Sequence, residues 1–424
     1  MDVHVQRAYP ISYEMVAKAY QKVKQGGKAA GVDGESWKSF EEKGVEKQLY
    51  VIWNRMSSGS YFPQAVREQE IPKRNGKKRK LGIPTLRDRI AQEVVKAYME
   101  KRVEHQFHGN SYGYRPMKSS HDALDEVRKN CLEKDWVVDM DLAKFFDEID
   151  HELMLKAVSH VFEEPWIKVY VRRWLEMKIE RADGSQYDRG SKGTPQGGVI
   201  SPLLANLFLH YALDLWFTAQ FPSIRFVRYA DDIVLHCTSK LEAEQVLTGV
   251  KNRLASLGLR LNEDKTRIVY CQDYRRKEEQ ANVQFGFLGY SFQPRPIQSI
   301  RNPGTTFLSF TPEVSKDNQS QIRSSIREVV NWRNTTQELA DIATILNPKL
   351  RGWINYFGRY GKRKIRLTML YLDSKLLNWL KRRHKCGHQH ACDILAKQVA
   401  NNPRLFYHWA SRYTLFVNEL TRAV

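Results

Sequence analysis

The chain reads as an α+β protein. Strand-like and helix-like segments alternate over much of its length, an antiparallel hairpin with two acids at its tip lies among them, and no Gly-rich phosphate fingerprint opens a helix, as a doubly wound nucleotide-binding fold needs. A length of 424 residues favours two or three domains, and a hydrophobic content of 42% is ample for burial. The formal charge of +20 is spread over several clusters, which favours a polyanionic partner, nucleic acid first, over a small acidic metabolite. No stretch approaches the roughly 20 apolar residues that span a bilayer, and the N-terminus has no signal-peptide apolar segment, so a soluble, intracellular protein without membrane contact is expected. The 5 cysteines are an odd count without a dense framework, as suits reduced thiols. His384, Cys386, His388, His390 and Cys392 alternate in a way unlike paired zinc-ligand patterns and read as a solvated basic loop.

From the N-terminus, Tyr13 to Gln25 is helical and ends in a Gly-rich turn through Gly34. An extended basic segment follows, in which Asn75-Gly76 turns a hairpin flanked by Lys73 and Arg79; such a hairpin folds over phosphates or stays a solvated loop. Asp88 to Phe107 is helical, and Ser119 with Asp122 caps a helix running to about Cys131. The loop from Gly193 feeds an apolar helix, Leu203 to Trp216, with Ser201 as N-cap and Pro202 at its first position. Glycines in that loop permit close backbone approach to a substrate, and Gln196 is placed to touch a base or sugar edge. Ser239 and Glu242 form a capping-box signature for a helix ending near Gly258, and Phe285 to Phe292 reads as a strand pair. Around Gln293 to Pro296 and Asn302 to Gly304 the composition shifts towards helical, basic segments, which places a domain boundary there. The tail interleaves cations with aromatics from Arg351 to Tyr360 and from Lys362 to Arg366. Aromatics at these spacings make helix core more often than stacking platforms, while the cations suit a surface that tracks a nucleic-acid backbone.

Asp231 and Asp232 lie between the apolar runs Phe226 to Tyr229 and Ile233 to Cys237, so a strand, tight turn and strand present them together. An isolated Asp-Asp pair is ordinarily a solvated turn, because Asp hydrogen-bonds locally there. A second acid-bearing strand end, Trp136 to Asp141, changes that reading: carboxylates converging from two strands are the raw material of two-metal phosphoryl transfer. Mg²⁺ suits such a place, since it prefers a few carboxylates plus substrate phosphates. Asp139 and Asp141 share a face at strand period, and periodicity alone does not choose between them.

In this order the motifs resemble those of the reverse transcriptase and maturase proteins encoded by group II introns, over nearly the whole chain. Asp141 to Asp147 with Ile149-Asp150-His151 is similar to the family's first catalytic motif, Gly193 to Asn206 to its second, and Tyr229 to Asp232 to its polymerase hairpin. The resemblance implies an α+β right-hand polymerase, with fingers and palm over residues 1–297 and an α-helical thumb or maturase domain with a short basic tail over 298–424. It implies an RNA-directed DNA polymerase using Mg²⁺, with Asp141 and Asp231 as metal ligands and Asp232 completing the catalytic acids. Lys73 and Arg79 are then assigned to the incoming triphosphate, Gln196 to the nucleotide or template pocket, and Lys265 to the nucleotide-binding motif after the palm helix. Phe146 falls where relatives block a ribose 2′-hydroxyl, with Phe145 its neighbour as an alternative core residue. Ser111 to Pro116 resembles the fingers motif, in which Arg115 contacts template or braces the fold. Asn347-Pro348 and Arg351 to Phe357 resemble the maturase segment, with Arg351, Arg359, Lys362 and Arg363 as nucleic-acid contacts.

The implied partners are group II intron RNA, an RNA template with a DNA primer or target DNA, and dNTPs, and a homodimer is admitted. The implied roles are promotion of intron splicing and copying of the inserted intron, in the bacterial cytosol or an equivalent compartment. The chain ends at Val424 without the paired cysteine motifs of the nuclease that many relatives add, so second-strand cleavage is not expected of it. Two other readings share these motifs. One is a host-adopted reverse transcriptase in defence or repair; the other is a splicing-only RNA-binding maturase with a vestigial polymerase site, against which the intact acids at 141, 231 and 232 argue.

Overall fold

The computed structural model describes residues 8–72, 78–299 and 302–416. Its strands are β1 (Val66–Pro72), β2 (Lys78–Ile83), β3 (Trp136–Asp141), β4 (Ile179–Glu180), β5 (Gln186–Tyr187), β6 (Arg225–Tyr229), β7 (Asp232–Cys237), β8 (Arg267–Tyr270), β9 (Phe285–Phe287), β10 (Tyr290–Gln298) and β11 (Thr306–Val314). They form sheets of order β2-β1-β4-β5, β6-β7-β3-β8 and β11-β10-β9. Two compact units, Met1–Ile268 and Val269–Val424, divide the chain. Among the described residues no helix is long and apolar enough to cross a membrane.

In the first unit, successive residues Val137, Val138, Val227, Ile233, Val234 and Leu235 are all buried. A strand buried at every position needs cover on both faces. The helices Ser120–Glu133 and Lys240–Ser256 pack against this sheet. Their starts follow the expected chemistry: Ser119 and Asp122 form a complete capping box, and Ser239 accepts from the Glu242 amide. The second box is half formed, because the Glu242 carboxylate turns to the Thr238 hydroxyl at 2.7 Å. The expected cap at Ser201 is not made. The helix begins at Ser201 itself with Ile200 at the N-cap, and the Ser201 hydroxyl donates to the Pro195 carbonyl at 2.9 Å, tying down the preceding loop. That helix runs to Leu209, passes through a π-helical turn at His210–Asp214 and resumes over Leu215–Gln220.

The basic hairpin forms as β1 and β2, paired antiparallel from Arg67↔Ile83 to Pro72↔Lys78. Its Asn75-Gly76 turn and Lys73 lie outside the described residues.

The second unit holds the β9–β11 sheet and the helices Lys316–Val329, Leu339–Phe357, Lys362–Arg383 and His388–Asn401. The compact units therefore part near residue 268, upstream of the composition shift that placed a boundary at 297/298. The reason is aromatic packing. Tyr290 meets Tyr356, Phe357 and Tyr360 at centroid distances of 5.6, 5.4 and 5.5 Å, and the Tyr356 hydroxyl donates to the Leu288 carbonyl, so the strand pair is bound into the helical unit. Of these tail aromatics Phe357 is buried in the core, as helical spacing implied, while Tyr356 and Tyr360 are half-buried around Tyr290. Asn347 acts structurally too, donating to the Leu405 carbonyl and accepting from the Tyr407 amide, both at 2.9 Å. The expected loop through the histidines and cysteines is helical from His388, with Cys392 one turn further on.

Candidate active site

Pairing of β6 with β7 sets Tyr229 opposite Asp232, leaving Ala230-Asp231 as the turn, with Ala230 in the left-handed region at φ 56. A residue bearing a Cβ holds that conformation only under constraint. Arg228 supplies it. Fully buried, its guanidinium makes two bonds to Asp214, at 2.8 and 2.5 Å, and two more to Asn206 Oδ1 and the Ala230 carbonyl at 2.9 and 3.2 Å. Asn206 in turn donates to the Gly113 carbonyl at 2.6 Å. Gly113 is packed so closely beneath the turn that a Cβ there would stand 2.4 Å from the Ala230 nitrogen.

Pairing of β3 with β7 then sets Asp141 opposite Asp232, so the three acids converge at one end of the sheet. Asp141 Oδ2 accepts from Lys265 Nζ at 2.9 Å and Asn262 Nδ2 at 3.1 Å. Burial raises the Asp231 pKa, and the Asp141 charge adds to the rise. Asp232 is pushed up to about 7 by burial and then by Asp231 and Asp141. Lys265 feels the reverse: burial works to lower its pKa, but the bond to Asp141 and the charges of all three acids leave it raised. Asp139 stands two residues deeper, opposite Val234, where burial and Asp232 push it up to about 8. Asp141 is the acid at the tip.

The loop from Gly193 closes one side. Gly193 and Thr194 amides donate to the Ile149 and Phe146 carbonyls, each at 2.7 Å, and the Gly82 amide of β2 donates to the Gln196 carbonyl at 2.7 Å. Gly197, at φ 120, lies where a Cβ would stand 2.6 Å from the Gly82 carbonyl oxygen. Gln196 accepts from Arg79 Nε at 2.6 Å, and both line a cavity of about 570 Å³ together with Lys144 and Asp147. Phe146 is buried against Phe145 in the short helix Phe145–Glu148. Arg79 and Gln196 are thus brought together, while Lys265 is held on Asp141 and does not line this cavity.

Arg115, expected among the nucleic-acid contacts, is a brace. Its five N–H donors go to Glu104 Oε1 twice, and to the carbonyls of Glu104, His108 and Ser111, which leaves none for a template. Arg351, Arg359, Lys362 and Arg363 are exposed on the second unit.

Sequence reasoning missed Arg228, Asp214, Asn206 and Asn262. A signal existed for the first two: one arginine inside an apolar strand and one aspartate inside an apolar helix are opposite charges that both need burial, and such charges pair.

Whether this donor set fits a divalent cation is a question of charge and number. The set is all oxygen, as hard cations require, and the burial and neighbouring acid charges that raise Asp231 and Asp232 disfavour their charged forms in a way that a cation offsets. Among the described residues no three His, Cys, Asp or Glu side chains enclose an ion by themselves.

Residues 71–292 match the family of reverse transcriptases (RNA-dependent DNA polymerases), and residues 319–392 match the maturase-specific domain of group II introns. The chain therefore belongs to the reverse transcriptase family, in the group II intron-encoded branch, and is an RNA-directed DNA polymerase of α+β polymerase fold joined to a maturase domain. Enzymes of this family generally work with a divalent metal. The chain is 34% identical to Protein YkfC of Escherichia coli (strain K12) over 286 residues, 59% of this chain and 74% of that protein. It is 27% identical to the group II intron-encoded protein LtrA of Lactococcus lactis subsp. cremoris over 428 residues, 80% of this chain and 68% of that one. A putative COX1/OXI3 intron 1 protein of Saccharomyces cerevisiae is 24% identical over 372 residues, 75% of this chain and 43% of that one.

Proposed function

We propose that Asp141 and Asp231 hold Mg²⁺, that Asp232 completes the acidic centre, and that the chain extends a DNA primer on an RNA template with dNTPs. The observation that carries this reading is the register that sets Asp141 opposite Asp232 with Asp231 in the adjoining turn. When bound there, the cations polarise the primer 3′-hydroxyl and neutralise the leaving pyrophosphate. The chain's own groups do the rest. Arg79 grips phosphate with a planar fork, and Gln196 fixes the direction of that fork through the 2.6 Å bond between them. Lys265 holds the Asp141 carboxylate in place and offsets the charge of the acids. Phe146 walls the sugar position and disfavours a ribose. The 3′-oxygen to α-phosphorus bond forms, the bond to the β-phosphate oxygen breaks, and the hydroxyl proton leaves to solvent.

The partner of the maturase domain in this reading is group II intron RNA, bound in an intracellular compartment through exposed cations that include Arg351, Arg359, Lys362 and Arg363. Primer extension by the purified protein on matched RNA and DNA templates tests the assignment. Mg²⁺-dependent extension on RNA is expected, lost in Asp231→Ala with RNA affinity retained. RNA binding without extension by the native chain would instead favour a splicing cofactor.

A further inference from the structure

The helix that begins at Ser201 is irregular at the place where two of its side chains must meet one arginine. Asn206 and Asp214, eight positions apart, both bond Arg228. An α-helix turns once in about 3.6 residues, so side chains at that spacing would stand roughly 80° apart around its axis. The turn His210–Asp214 is π-helical instead: the Leu215 amide donates to the His210 carbonyl, one residue further back than an α-helical bond. The extra residue taken up there closes most of that angle and brings Asn206 and Asp214 to one face. Arg253, on the helix Lys240–Ser256, holds the widened turn by donating to the Ala212 carbonyl at 2.8 Å.

Arg228 and Asp214 are both fully buried. Such a pair adds little stability, because desolvation of two charges offsets their attraction and apolar side chains of similar volume fill the space as well. What it supplies is direction. With Nε and Nη2 fixed on Asp214, Nη1 donates to both Asn206 Oδ1 and the Ala230 carbonyl. The Arg228 backbone is pinned too, its amide donating to the Asn110 carbonyl at 2.9 Å and its carbonyl accepting from the Tyr112 amide at 2.8 Å. Asp231 follows Ala230 directly, so groups outside the acidic cluster set where its carboxylate stands.

We propose that the π-helical turn and the pair of Asp214 with Arg228 are a positioning device for polymerisation. They fix Ala230 in its left-handed conformation and so aim Asp231 before primer and nucleotide arrive. This rests on the reading of Asp141 and Asp231 as the cation site. A reacting group misplaced by about 1 Å costs on the order of 10²-fold in rate, which gives the size of the effect to expect.

The double variant Arg228→Met with Asp214→Leu, made in the full chain, separates aim from stability because it removes both buried charges together. Its urea midpoint is expected near that of the native chain, while the Mn²⁺ Kd rises about tenfold, kcat for primer extension on RNA falls about 10²-fold and primer-template affinity stays the same. Hydrogen exchange over residues 229–233, measured without metal, is expected to quicken. Native kcat, Mn²⁺ affinity and exchange in a stably folded double variant would overturn the proposal. If that variant does not fold, Arg228→Lys, which keeps the charge and loses the fork, decides by the same measurements. Undiminished Mn²⁺ binding and extension in Asp231→Asn would sink the metal-site reading, whereas exchange at the metal-free turn judges the positioning device separately.

Discussion

Asp373 in the helical unit and Asp231 with Asp232 in the sheet unit are largely buried aspartates whose surroundings act in opposite directions. Asp373 collects His408 Nε2 at 2.8 Å, Trp409 Nε1 at 3.2 Å, and the Thr414 hydroxyl and Leu415 amide at 2.7 Å each. Burial works against its charge, but these donors, His408 foremost, hold its pKa below the usual range. Asp214, also buried, takes two hydrogen bonds from the Arg228 guanidinium. Asp231 and Asp232 have their pKa values raised, first by burial and then by the carboxylates they face. A buried carboxylate satisfied by its own chain holds structure together; one left among like charges is kept for something that arrives.

The largest expected effect separates the two kinds at once. Asp231→Asn should lower primer extension by about 10³-fold or more while leaving urea stability equal or higher, because it removes a repelling charge. A variant that lost stability in proportion to activity would place Asp231 with Asp373. Next, Asp373→Ala should destabilise the second unit by about 3–5 kcal/mol, since it strands His408 and three other donors. Urea unfolding followed by tryptophan fluorescence measures this, and a change under about 1 kcal/mol would contradict the structural role.

Histidines divide in the same way, with a smaller effect. His408 is held by Asp373, whereas His236 on β7 is fully buried, with Cys131 sulfur 4.0 Å from its Nδ1, and burial pushes its pKa down to about 3. The unfolded chain binds a proton at this group near pH 6.5 and the folded chain does not. Stability is therefore expected to fall as pH drops from about 6.5 towards 3, by about 2 kcal/mol at pH 5. In His236→Leu that share of the acid sensitivity should disappear from the melting curves. An unchanged pH slope would mean that His236 takes a proton in the folded state.

Much of this contrast was legible in the sequence, but unequally. The acid-tipped hairpin was readable because two continuous apolar runs and the two-residue turn between them leave local signals from Phe226 to Cys237. Ser119 with Asp122 was readable for the same reason, a local one. Arg115 was not, because its four acceptor atoms come from Glu104, His108 and Ser111, and their convergence depends on how the chain bends after the Leu86–Val103 helix. The choice between Asp139 and Asp141 needed strand register, which sets one opposite Val234 and the other opposite Asp232. The division near residue 268 needed the packing of Tyr290 on residues far along the chain. Sequence periodicity shows which face is buried, not what it is buried against.

Binding of Mn²⁺, followed by its paramagnetic resonance in the presence of primer-template and a nonhydrolysable dNTP, tests most directly whether the unsatisfied acids are a cation site. The native chain is expected to bind the ion and Asp231→Asn to lose most of that binding, with primer-template affinity retained. Equal ion binding by both proteins would contradict the account.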